Sequence, residues 1–155
     1  MTTNAATAED RLARLGLQLP DAPTPFGAYV PAVQTGHLLF LSGMLATSGH
    51  AAAVVRIVGK DLDVPAGRQA ATTAALNALA LTRNQLGSLN RVSRVLRLGV
   101  YVAATPQFTE HPKVADAASE LLRDVFGDQT VSSRLVLVSR AFHSVRPLNW
   151  RSSWK

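Results

Sequence analysis

Residues 66–86, AGRQAATTAALNALALTRNQL, form one alanine-rich stretch without a break. Alanine is the best helix former, and Ala70, Ala74, Asn77, Ala78 and Leu81 recur at three- and four-residue steps. The spacing predicts a long helix with one face of small residues, stopped by Gly87 in the position after the last turn. A face that small lies close against a flat partner, so the rest of the chain has to supply a sheet.

Strand signals flank that helix. His37–Ser42 (HLLFLS) is a short apolar run closed by Gly43, read as a buried strand, and Val54–Val58 (VVRIV) is read as another. Val92–Ala104 alternates in part and is rich in β-branched residues, which predicts a long strand with a bulge or bend near Gly99. Residues 112–126 predict a second amphipathic helix, with Val114, Ala118, Leu121, Leu122 and Val125 inward and Gly127 as its stop. Val131–Val138 alternates as a final strand. Ahead of these, AEDRLARLG (8–16) predicts a short helix within an N-terminal extension over residues 1–20. The four prolines of LPDAPTPFGAYVPAV (19–33) restrict that segment to an ordered loop or an irregular edge strand. The order β–β–helix–β–helix–β implies an α+β fold with two helices packed on one face of a sheet, in a single domain spanning 1–155.

Composition narrows the function classes. Apolar residues make up 47% of the chain, enough for a core, and no run approaches the ~18 consecutive apolar residues of a membrane span. The first residues lack the basic start and apolar run of a signal peptide, so a cytoplasmic protein is expected. No cysteine is present, which removes disulfides, thiolate nucleophiles and cysteine-bound zinc. The net charge of +6 is unevenly spread: up to Ser133 there are eleven Lys and Arg against all ten Asp and Glu, and Arg134, Arg140, Arg146, Arg151 and Lys155 make up the excess. A nucleic-acid surface clusters its basic residues on a folded face, so RNA or DNA is not an expected partner. His37, His50, His111 and His143 are scattered, with no metal-ligand spacing. No phosphate loop or dinucleotide fingerprint occurs, and no cofactor is implied.

Three segments carry a resemblance. PFGAYVPAVQTGHLLFLSGML, then the stretch from Gly67 to Gly127 with its Asn-x-Leu helix and LGSLNRV turn, then Ser132-Ser133-Arg134, together resemble the RidA/YjgF family. This family is also called endoribonuclease L-PSP or reactive-intermediate deaminase, and its fold is chorismate-mutase-like. The likeness spans about residues 10–138 and is greatest to the longer YjgF-like "putative endoribonuclease" subgroup. It implies a homotrimer with sites in clefts between neighbouring sheets. In the deaminases an arginine there grips the carboxylate of a 2-imino or 2-enamino acid while water attacks the C=N carbon. Arg134 stands in that arginine's place, as catalytic and ligand-binding residue, and bidentate pairing suits it to a small carboxylate such as a 2-imino or 2-oxo acid. Tyr29 matches the loop tyrosine, and Ser42 and Gly43 match the Ser-Gly strand end that lines the cleft. The same residues have plainer readings: Ser42-Gly43 as a strand terminus, Tyr29 as a packing anchor, Asn77 as a buried polar link. Two positions depart from the deaminases. Ala115 and Asp116 stand where they carry an asparagine, and Val136 stands where they carry a cysteine. These departures favour a ligand-binding trimer without catalysis. Endoribonuclease activity ranks third, because the nearly neutral body offers RNA no basic face and no His pair.

The resemblance also implies a last strand ending in alternating acids, where this chain reads SRAFHSVRPLNWRSSWK. Back-translated with suitable codons and read two bases out of register, the end of the chain can yield Val-Ala-Ser-Leu-Pro-Phe-Gly-Ala-Thr-Val-Glu-Leu-Glu-Val-Ile-Leu-Glu. Residues 139–155 are therefore expected to be a frameshifted tail that makes few regular ladder bonds and weakens the trimer. An intact mass equal to that of the printed sequence would exclude an error of reading.

Overall fold

The computed structural model describes residues 6–25, 27–47, 56–128 and 132–139. The expected strand start at Val54–Val55 and everything predicted for the tail beyond Ser139 lie outside these residues. Helix α1 covers Ala8–Arg14, strands β1 and β2 cover Ala32–Thr35 and Leu38–Leu41, and α2 covers Val64–Leu86. Strand β3 (Arg97–Ala103), α3 (His111–Phe126) and β4 (Ser133–Ser139) complete the order.

The long helix begins two residues earlier than its alanines suggest. Asp63 caps it, its carboxylate accepting from the Ala66 N–H at 2.9 Å, and Pro65 occupies the first turn, where a missing N–H costs nothing. Gly87 ends it in the left-handed region at φ 80°. Its buried residues are Gly67, Ala75, Asn77, Leu79, Ala80 and Leu81, a wider arc than the predicted face: Ala70, Ala74 and Ala78 are only half-buried. The helix packs on α3 along one side and bonds the 45–47 segment on another. Close approach to α3 requires the glycine at position 67, where a Cβ would stand 3.1 Å from Val114 Cγ2 and 3.3 Å from Val58 Cγ2.

Helix α3 has the amphipathic pattern read from its sequence. Val114, Ala118, Leu121 and Val125 are buried, and Leu122 packs at the edge of the same cluster. One core joins Ala8 and Leu12 of α1 to Ala75 and Leu79 of α2 and to Ala118, Leu121, Val125 and Phe126 of α3. A second joins Val58, Val102, Ala104 and Val114, with Val100 and Val136 against it. Truncating any of the larger members costs roughly 2–5 kcal/mol by leaving a cavity.

The two described sheets are two-stranded. β1 and β2 form an antiparallel hairpin, so the proline-rich segment does end in a strand. β2 is not buried as predicted: it alternates, with Leu38 and Phe40 exposed, because one face of the hairpin is uncovered. β3 and β4 run parallel, joined by the α3 crossover that parallel pairing demands. Their register is continuous from Arg97↔Ser133 to Ala103↔Ser139, so Gly99 opposes Leu135 without the predicted bulge. The predicted strand start at Val92 is also corrected. Leu89–Arg91 is a 3-10 turn, and the ladder begins only at Arg97. Val58 adds isolated bridges to Leu62 and Ala104.

The turn before β3 is fixed from far away in the chain. Glu9 accepts from the Leu89 N–H at 2.9 Å, while its own N–H donates to Asn90 Oδ1 at 3.0 Å. Glu9 is held in place by a capping box at the start of α1, in which Thr7 and Asp10 bond reciprocally. The Thr7 backbone N–H, and then its hydroxyl, hold the Asp10 carboxyl below its ordinary range. The fold is thus α+β, with the long helices against one side of the β3–β4 ribbon.

Candidate functional site

The side chains of β3 and β4 divide between two faces with period two. Leu98, Val100, Val102 and Val136 face the helices and pack in the two cores. Tyr101 and Leu137, register partners, lie on the opposite face and are exposed. Arg134 is the register partner of Leu98, and its side chain turns to α3. Its Nη1 donates to Asp116 Oδ1 at 2.7 Å and to Ser119 Oγ at 3.0 Å. Asp116 and Ser119 are three residues apart on α3, one turn of helix, which places them side by side. The Arg134 side chain is 27% exposed and that of Asp116 43%, so the pair sits at the surface end of the ribbon within reach of solvent.

The other predicted residues belong to the hairpin. Ser42, just past β2, donates its hydroxyl to the Val30 carbonyl at 2.8 Å and its backbone N–H to the Pro31 carbonyl at 2.9 Å. The serine therefore ties the end of the hairpin to the loop that carries Tyr29, and Gly43 follows it. The Tyr29 ring is half-exposed and lies over Gly27. Among the described residues the hairpin and the β3–β4 ribbon share no ladder, and there Arg134 and the Tyr29–Gly43 group stand on separate sheets. No sequence motif marks Asp116 and Ser119 as partners of Arg134; the available signal is their i, i+3 spacing on the α3 face that adjoins β4.

Asn77 links the loop after Gly43 to the helix layer. Its buried Nδ2 donates to the Leu45 carbonyl at 2.9 Å and to the Thr47 carbonyl at 3.1 Å. Both amide protons are used, which matches the polar link predicted from its place among the alanines.

The family model described as "YjgF/chorismate_mutase-like, putative endoribonuclease" matches residues 9–151. The chain belongs to this family. Protein TCP17 of Trypanosoma cruzi is 39% identical over 118 residues, covering 76% of this chain and 74% of that protein. A solved structure described as a "putative endoribonuclease" from Shewanella oneidensis superposes with a TM-score of 0.81 at 32% identity, covering 86% of this chain and 88% of the other. Protein Atu1372 of Agrobacterium tumefaciens, described as of unknown function, gives 0.76 at 36% identity over 86% and 82% of the two chains. The YjgF-family fold, chorismate-mutase-like as the sequence resemblance implied, therefore accounts for the α+β layers described above. Among the described residues no helix is long and apolar enough to cross a membrane.

Asn77→Ala is expected to cost about 2 kcal/mol, since two carbonyls lose a buried donor. Asn77→Asp is expected to cost more, because a carboxylate cannot donate and would face both oxygens. Denaturant midpoints measure the order, and hydrogen exchange at residues 43–47 should rise in both variants.

Proposed function

We propose that this YjgF-family chain is a homotrimer that binds a small carboxylate, a 2-imino or 2-oxo acid, in a cleft between subunits. There it hydrolyses reactive imines or enamines. Arg134 is the anchor and the residue on which the reaction depends. One observation carries this reading: α3 holds the guanidinium through Nη1, and neither contact involves the Nε–Nη2 edge of the fork. A guanidinium edge of that kind meets a carboxylate with two parallel N–H···O bonds. The hydrolysis balances without a cofactor. The oxygen of water bonds to the C=N carbon, the C–N bond breaks, protons from water pass to nitrogen, and a ketone and ammonia leave.

Assembly is supported by the uncovered side of the sheets. Val33, Phe40, Tyr101 and Leu137 are 52%, 58%, 60% and 43% exposed, all on strands. Apolar strand faces of this kind are what subunit interfaces cover. In a trimer a neighbour's hairpin supplies Tyr29, Ser42 and Gly43 to the cleft that one protomer leaves without them.

Binding without catalysis is the second reading, and two placements favour it. Val136, where the deaminases carry cysteine, packs against the second core, and Ala115 is fully buried. Neither side chain carries a polar atom that could bond a ligand or hold a water. Endoribonuclease action, the activity in the family's description, stays third because the described ribbon offers phosphates only Arg97 at its start and an Arg134 already paired with an acid.

Arg134→Ala is expected to abolish 2-oxobutanoate binding in calorimetry, and Arg134→Lys to weaken it at least tenfold by losing the fork. Decay of a freshly generated imino acid should fall to the buffer rate in both. Unchanged affinity in Arg134→Ala overturns the assignment. Sedimentation should give a mass three times the 16.5 kDa of one chain; a monomer overturns the trimer.

A further inference from the structure

We propose that Asp116 makes the site select zwitterionic ligands, α-amino acids or protonated 2-imino acids, over simple anions such as 2-oxo acids. The inference rests on the reading of Arg134 as carboxylate anchor.

The argument begins with the charges. Asp116 Oδ1 lies 2.7 Å from Arg134 Nη1, so the guanidinium meets its ligand with one carboxylate already beside it. A ligand carboxylate on the Nε–Nη2 edge adds a second negative charge within a few ångströms of the first. Two carboxylates sharing one cation repel, and a bare anion gains little from a pair whose net charge is zero. An ammonium or iminium nitrogen on the carbon next to the ligand carboxylate changes the sign. That nitrogen bears positive charge close to the bound carboxylate, and Oδ2 of Asp116, which takes no part in the arginine contact, is an acceptor on the same side chain. The Asp116 carboxyl is 43% exposed and within reach of such a ligand.

Ser119 has a separate part. Its hydroxyl accepts from the same Nη1 at 3.0 Å and carries no charge. It orients the guanidinium without favouring either ligand, which makes it a positioning residue. The division between the two also orders a reaction. An iminium acid is a zwitterion and its 2-oxo product an anion, so Asp116 attracts the substrate and weakens the hold on the product.

The test compares 2-aminobutanoate with 2-oxobutanoate, two ligands with one carbon skeleton and different charge, by calorimetry on the full chain. The native protein is expected to bind the zwitterion at least tenfold more tightly. Asp116→Asn, nearly isosteric and still able to accept from Arg134, is expected to lose that preference and to gain at least tenfold in affinity for 2-oxobutanoate. Ser119→Ala should weaken both ligands by the same factor, which a structural role for Asp116 would imitate. A ratio unchanged in Asp116→Asn, while Arg134→Ala loses both ligands, overturns this inference and leaves Arg134 as anchor. Binding of both ligands untouched in Arg134→Ala, or of neither by the native protein, overturns the anchor itself and the selectivity with it.

Discussion

The parallel pairing of β3 with β4 is the constraint on which the rest of the structure depends. A parallel pair cannot be closed by a tight turn, so the chain must cross over between the strands, and α3 is that crossover. Once α3 lies on the ribbon, its apolar stripe has two surfaces to satisfy. Val114 packs with Val58 and Val102, while Ala118, Leu121 and Val125 pack with α1 and α2. The same arrangement brings the polar edge of α3 beside the beginning of β4. The register that pairs Leu98 with Arg134 thus decides which α3 residues the arginine can reach.

The N-terminal helix has a part in this that its length conceals. Seven residues make a marginal helix on their own. Its stability comes from the Thr7–Asp10 capping box and from Ala8 and Leu12, which enter the main core. In return Glu9 accepts from the N–H of Leu89 and approaches Arg83 at 3.9 Å, which fixes the turn between α2 and β3. The start of the ribbon is therefore set partly by residues some eighty positions earlier.

That distance explains what the sequence could and could not convey. Both long helices, their glycine stops and the buried stripe of Val114, Ala118, Leu121 and Val125 on α3 could be read from local spacing, because helix periodicity is a local property. The start of β3 could not. Val92 and Val95 look like strand residues, yet Ser88 caps a 3-10 turn that Glu9 locks, and both valines pack against the main core. β1 was obscured by the prolines beside it, and the exposure of Leu38 and Phe40 by an apolar run that looked buried from either side. Arg134, Tyr29, Ser42 and Gly43 are candidates through the resemblance alone, and Asp116 stands out in the sequence only as a departure from it. Its contact with the arginine depends on β4 running parallel beside α3, a fact of topology that no local pattern contains.

The strength of that contact bears on its meaning. An ion pair with side chains 27% and 43% exposed is screened by water, and such pairs contribute roughly 0–1 kcal/mol to stability. The fold does not need it: the cores that hold α3 on the ribbon are apolar and would remain without it. An arginine on a strand face next to Val136 could instead have been an apolar residue extending the same core. As it stands, the guanidinium is oriented by a carboxylate and a hydroxyl on one nitrogen, in a contact that adds little to stability. A pair this weak is also one that a ligand can share or rearrange at little cost, and a deeply buried pair, with its large desolvation penalty on breaking, could not do so.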